Sequence, residues 1–146
     1  MASFIYTPAK TGIARATIDL DADDIRVLLV KIAASTTTDT EQDTATISAF
    51  TTLGELVATN YVRKALTGEV VNEDLPNDRA EFDAADVTWT ALGGAANDTI
   101  GAAILFKFVT NDTDSIPIAH IELTDTPTNG GDITLSWNVE GILQLT

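Results

Sequence analysis

Four aspartates fall within six positions, Asp19, Asp21, Asp23 and Asp24, in the stretch IDLDADDIRVLLV over 18–30. They are the densest set of possible metal ligands in the chain. A calcium loop of the helix-loop-helix type places oxygen ligands at positions 1, 3 and 5, a glycine at 6 and a bidentate glutamate at 12. Counting from Asp19, the first three positions match, but position 6 is Asp24 and position 12 is Val30. The residues from Ile25 onward read as a strand, not a helix. Two readings remain. Asp19, Asp21 and Asp23 form a weak cation site, or the carboxylates accept backbone N–H groups and shape a turn before the strand. The segment DAADV over 83–87 echoes DADDI over 21–25 with fewer acids, again ahead of a strand, and favours the turn.

Other chemistry is sparse. The chain has one histidine, His120, and no cysteine, so disulfides and thiolate metal sites are excluded. A nucleophilic triad requires His120 beside an activated hydroxyl, and Ser115 and Ser136 are the hydroxyls singled out. His120 sits on a predicted strand, opposite the face carrying Ala119, Ile121 and Leu123, and reads as a solvent-facing residue. Gly93-Gly94 lacks the lysine and the strand-to-helix setting of a phosphate loop and reads as a turn. No catalytic residue, cofactor or small-molecule substrate is expected from these patterns.

Charge narrows the partners. Eight Lys and Arg face 22 Asp and Glu, for a formal net charge of -14 over 146 residues. Binding to nucleic acid needs clustered cations to displace phosphate counterions. Here the basic residues are scattered and only Arg63 and Lys64 adjoin, so no nucleic acid and no anionic membrane surface is expected. No apolar run reaches the roughly 18 residues of a membrane span. The first residues, MASFIYTP, lack the basic region and apolar core of a signal peptide.

The elements that would carry these residues are mostly strands. Ile133, Leu135, Trp137 and Val139 alternate with polar residues, and a last strand over 142–145 is expected to pair back on them as a hairpin. Residues 25–32 are apolar on both faces and read as a central strand. Val87, Trp89 and Ala91 share a face, as do Ile104, Phe106 and Phe108. Residues 61–66 and 69–72, split by Thr67-Gly68, read as a hairpin, and 14–20 as a weaker strand. Trp89, Phe106 and Trp137 are the core candidates. The predicted fold is an all-β, antiparallel, jelly-roll-like sandwich of about eight or nine strands. At most one short helix is expected, near 47–57. Residues 34–46 read as a long polar loop. The domain is expected over 9–146, preceded by an N-terminal arm over 1–8. Phe4, Ile5 and Tyr6 form either a first edge strand or an arm reaching a neighbour, because apolar groups left uncovered on a monomer are disfavoured.

Several segments together resemble small virion proteins from the structural gene block of tailed bacteriophages. They are TIDLDADDIRVLLV (17–30), NYVRKALTG (60–68), EFDAADVTWTAL (81–92), AAILFKF (102–108) and NGGDITLSWNVEGILQL (129–145). The family's Gly-Thr-Gly-Tyr entry is replaced by Ala58-Thr59-Asn60-Tyr61, and no catalytic residues come with the family. The resemblance implies a non-enzymatic capsid decoration, or cement, protein on the outer capsid surface of the virion, made in the host cytoplasm. Its implied partners are the major capsid protein and copies of itself. Phe4, Ile5, Tyr6, Arg63 and Lys64 are then the interface candidates. A tail, neck or fibre protein is the alternative, followed by a carbohydrate-binding module presenting an exposed aromatic.

Overall fold

A computed structural model describes residues 3–32 and 41–146. In chain order the elements are β1 (Phe4–Ile5), α1 (Thr7–Ala14), β2 (Ile25–Lys31), β3 (Lys64–Ala65), β4 (Val70–Asp74), β5 (Arg79–Asp83), β6 (Val87–Leu92), β7 (Thr99–Lys107), β8 (Ile116–Pro127), β9 (Gly131–Leu135) and β10 (Leu143–Leu145). The strands form a five-stranded sheet ordered β1-β8-β7-β2-β3, a three-stranded sheet β10-β5-β4 and a pair β6-β9. Every pairing is antiparallel. The all-β, sandwich-like class expected from the alternation is the class observed.

The five-stranded sheet is buried on both faces, which explains its apolar sequences. One face of β2, carrying Ile25, Val27 and Leu29, joins Leu105, Phe82, Trp89 and Leu143 in the larger core. The opposite face, with Leu28, Val30, Ile104 and Phe106, forms a second core closed by Tyr6 and Ile47, with Phe4 and Phe50 packed against it. The register between β7 and β8 shifts between Ile100 and Ala102. A bulge there reverses which side chains face inward, so Ile100 and Ala103 lie in the same cluster despite their odd separation.

Several local expectations are corrected. The α-helix lies at Thr7–Ala14, with Pro8 in its first turn, and not near 47–57, where a single 3₁₀ turn spans Ile47–Ala49. It ends in a Schellman motif: the Ala16 N–H donates to Ile13 O at 3.0 Å and the Thr17 N–H to Gly12 O at 2.8 Å. Ala16, at φ 55°, holds the left-handed position that glycine usually takes. Residues 14–20 are therefore a helix end and turn, not a strand.

Thr67-Gly68 is a turn, with Gly68 at φ 67°, but it joins two sheets and closes no hairpin. The strand before it, β3, pairs with β2, and the strand after it, β4, pairs with β5. The last strand pairs with β5 instead of β9. Alternation on β9 stops at Leu135, and Val139 is 97% exposed. The expected arm over 1–8 is, in its described part, built into the fold as β1 and the start of α1. Residues 34–40 of the expected polar loop lie outside the described residues.

Candidate functional site

Each chemistry-bearing side chain has a structural position. His120 is fully buried, which corrects its reading as solvent-facing. Its backbone lies between Phe4 of β1 and Ile104 of β7. Its ring stacks on Phe4 with centroids 5.2 Å apart and 6° between planes. Among the described residues neither ring nitrogen has a hydrogen-bond partner, and the Tyr6 hydroxyl beside this stack has none either. Burial pushes the His120 pKa down to about 4, against a weak opposing pull from the Glu122 carboxylate. The imidazole bonds neither Ser115, whose hydroxyl donates to Asn111 O at 2.7 Å, nor Ser136, whose hydroxyl donates to Asp86 at 2.9 Å.

The acidic cluster behaves as a turn. The Asp19 N–H donates to Asp23 Oδ2 at 2.8 Å, and Lys107 Nζ pairs with the same carboxylate at 2.7 Å. Asp24 takes Arg26 in a two-point contact at 3.0 and 2.7 Å. Asp19 is held above the usual carboxylate range by its hydrogen bond with Asp21. Among the described residues no group of three His, Cys, Asp or Glu side chains is placed to hold a metal ion. The echo at 83–87 has a different task. Asp86 accepts the Ser136 hydroxyl and the Trp137 N–H, the latter at 3.1 Å, and so fixes the end of β9.

The interface candidates are also engaged within the chain. Phe4 and Ile5 pair with His120 and Ala119 through β1, and Tyr6 is fully buried. Arg63, one of the interface candidates, donates to Glu55 at 2.8 and 2.7 Å and to Asp112 at 2.5 and 3.0 Å. The Tyr61 hydroxyl completes this network by donating to Glu55 at 2.8 Å and accepting the Leu29 N–H at 2.9 Å. The hydrogen bond to Glu55 is the largest influence holding the Arg63 charge in place and raising its pKa. Lys64 lies on β3, opposite Val27 of β2.

Of the core candidates, Trp89 is 1% exposed and donates its indole N–H to Val62 O at 2.7 Å. Phe106 is fully buried in the second core. Trp137 is only half-buried and lines a cleft of about 540 Å³ between the β1–β8 edge and the β9–β10 side. Its indole N–H donates to Ala85 O at 3.0 Å, so its orientation is set without any ligand.

Sequence reasoning missed two outward features. One is this cleft, which non-neighbouring strands assemble. The other is the β4–β5 hairpin. β4 is an edge strand whose Val70 and Val71 are 39% and 41% exposed, and Leu75 at its turn is 74% exposed. Val70, Val71 and Leu75 are plain in the sequence, but the place of β4 at the rim of its sheet, with β5 as its one neighbour among the described residues, is not.

The fold and these surfaces define an all-β sandwich-like protein. No family model matches the chain, and neither a curated protein nor a solved structure is similar to it.

Proposed function

We propose that this chain is a non-enzymatic structural protein of a bacteriophage virion, acting as a decoration protein on the outer capsid surface. The observation that carries the reading is a contrast. His120 and Arg63 are locked into internal contacts, whereas apolar strand edges face outward at Val70, Val71 and Leu75. Such edges are adhesive, because unpaired strand backbone and exposed apolar groups both gain by association. The five ordered segments that resemble phage virion proteins support the same reading. A protein that binds the expanded shell and not its precursor stabilises the mature lattice by its binding free energy. Its partners are then the major capsid protein and other copies of itself.

The deciding experiment incubates the purified chain with expanded and precursor shells of the phage that encodes it and sediments both. Co-sedimentation with expanded shells alone is expected. Equal binding to both, or to neither, refutes the decoration role. A tail or neck position is separated by copy number, which is a dozen or fewer per particle there and hundreds on a shell. The carbohydrate-binding alternative has one observation in its favour, the half-buried Trp137 on a cleft wall.

A further inference from the structure

We propose that the cleft beside Trp137 is an acceptor seam for an extended segment of a partner chain, with apolar residues at alternate positions and basic residues at its ends.

The argument starts from which strand edges are paired. On its β1 side, β8 is matched only at Ala119 and His120. The neighbouring Glu122 N–H is capped by Ser3 Oγ at 3.0 Å. From Leu123 to the end of β8, no strand lies on that side among the described residues. Among the described residues β9 is bonded only to β6, and β10 only to β5. Residues of all three strands, each with an edge unpaired among the described residues, line the same cleft. Unpaired edges recruit extended chain, because each backbone N–H and C=O there lacks its ladder partner.

The volume between them suits side chains of one strand face. The 540 Å³ cleft adjoins a second cavity of about 220 Å³, and Leu123, Leu135 and Ser136 line both. The larger cleft is walled by Ile5, Ile121, Leu143 and Trp137 as well. In an extended chain, successive side chains point to opposite faces. An apolar residue at every second position would thus enter the seam while its neighbours face solvent. Charge selects the ends. Exposed Asp125 stands on β8 beside the seam, and Glu140 nearby is paired with Arg79 at 3.0 Å, so the overall acidity of the chain sets the preference. With a net charge of -14 on the whole chain, basic flanks on the partner are favoured. A sugar would use the Trp137 ring, but it has no use for unpaired strand edges or for aliphatic walls.

This proposal deepens the adhesive reading by naming what the seam takes, and it is tested without particles so that either can fail alone. The probes are nine-residue synthetic peptides alternating Val, Ile, Leu or Phe with Thr, with Lys at both ends. A second set carries N-methyl groups on alternate backbone nitrogens. The readout is the emission and acrylamide quenching of Trp137, since Trp89 is sealed, with backbone amide shifts by NMR to map the site. At least one unmodified peptide is expected to bind saturably, to shield Trp137 and to move the amides of β8 and β9. N-methylation and the Leu123→Lys variant should each weaken binding at least tenfold. Should that variant fold poorly, the N-methyl comparison decides. No saturable binding across the panel overturns the proposal. So does equal affinity of the N-methylated set, or a response to short oligosaccharides with none to peptides.

Discussion

His120 should make this protein lose stability on mild acidification. The folded protein holds the imidazole with a pKa of about 4, because it is buried in an aromatic stack with both nitrogens unpartnered. In the unfolded chain its pKa is about 6.5. The unfolded state therefore binds the proton first as pH falls, and stability drops with it. The contribution is complete above about pH 6.5 and is lost progressively toward pH 4. At about 1.4 kcal/mol per pH unit, the loss is about 2 kcal/mol at pH 5 and about 3 kcal/mol at pH 4. His120→Phe removes the titrating group and the two orphaned nitrogens while keeping a flat ring against Phe4. Denaturant unfolding should show the wild type weakening by about 2 kcal/mol more than the variant between pH 7.5 and pH 5. The imidazole proton resonances give the folded pKa directly by NMR. A folded-state midpoint near 6.5, or identical pH dependence in the variant, would refute the reasoning.

Other perturbations follow from the same contacts. Arg63→Met leaves Glu55 and Asp112 without their shared cation and should cost about 1–2 kcal/mol by denaturant unfolding, against less than about 0.5 for Arg26→Met. Ala16→Gly relieves the left-handed backbone at the end of α1 and should raise stability by about 1 kcal/mol, seen as an increase in Tm. Trp89→Ala removes the largest fully buried side chain and a hydrogen bond to Val62, and should cost about 3–5 kcal/mol by calorimetry or denaturation.

What was readable in the sequence follows local periodicity. The alternation on β8, that of Val87 and Trp89 on β6, and the apolar run of β2 survive because each records which faces are covered; beyond Trp89 the β6 register shifts, Ala91 takes φ 50° and Leu92 instead of Ala91 enters the core. What was hidden depends on distant partners. His120 does lie opposite the face of Ala119, Ile121 and Leu123, as parity required. Yet that second face is also covered, by Phe4 and Tyr6, more than a hundred positions earlier in the chain. The α1 helix escaped notice because it is short, buries only Ala9 and Gly12, and ends on Ala16 where a glycine would have signalled a cap. Thr67-Gly68 looked like a hairpin turn because turn chemistry is local, whereas the choice of sheet is not. Trp137 continued an apolar alternation that no partner strand supports beyond Leu135, so it borders a cleft instead of lying in the core. Arg63 looked free because Glu55 and Asp112 reach it from separate loops.

The central claim is that the molecule works by adhesion to an assembled shell. Quantitative mass spectrometry of purified mature particles of the encoding phage tests it most directly. Hundreds of copies per particle, and none in precursor shells, are the predicted result. Absence of the chain from mature particles would contradict it.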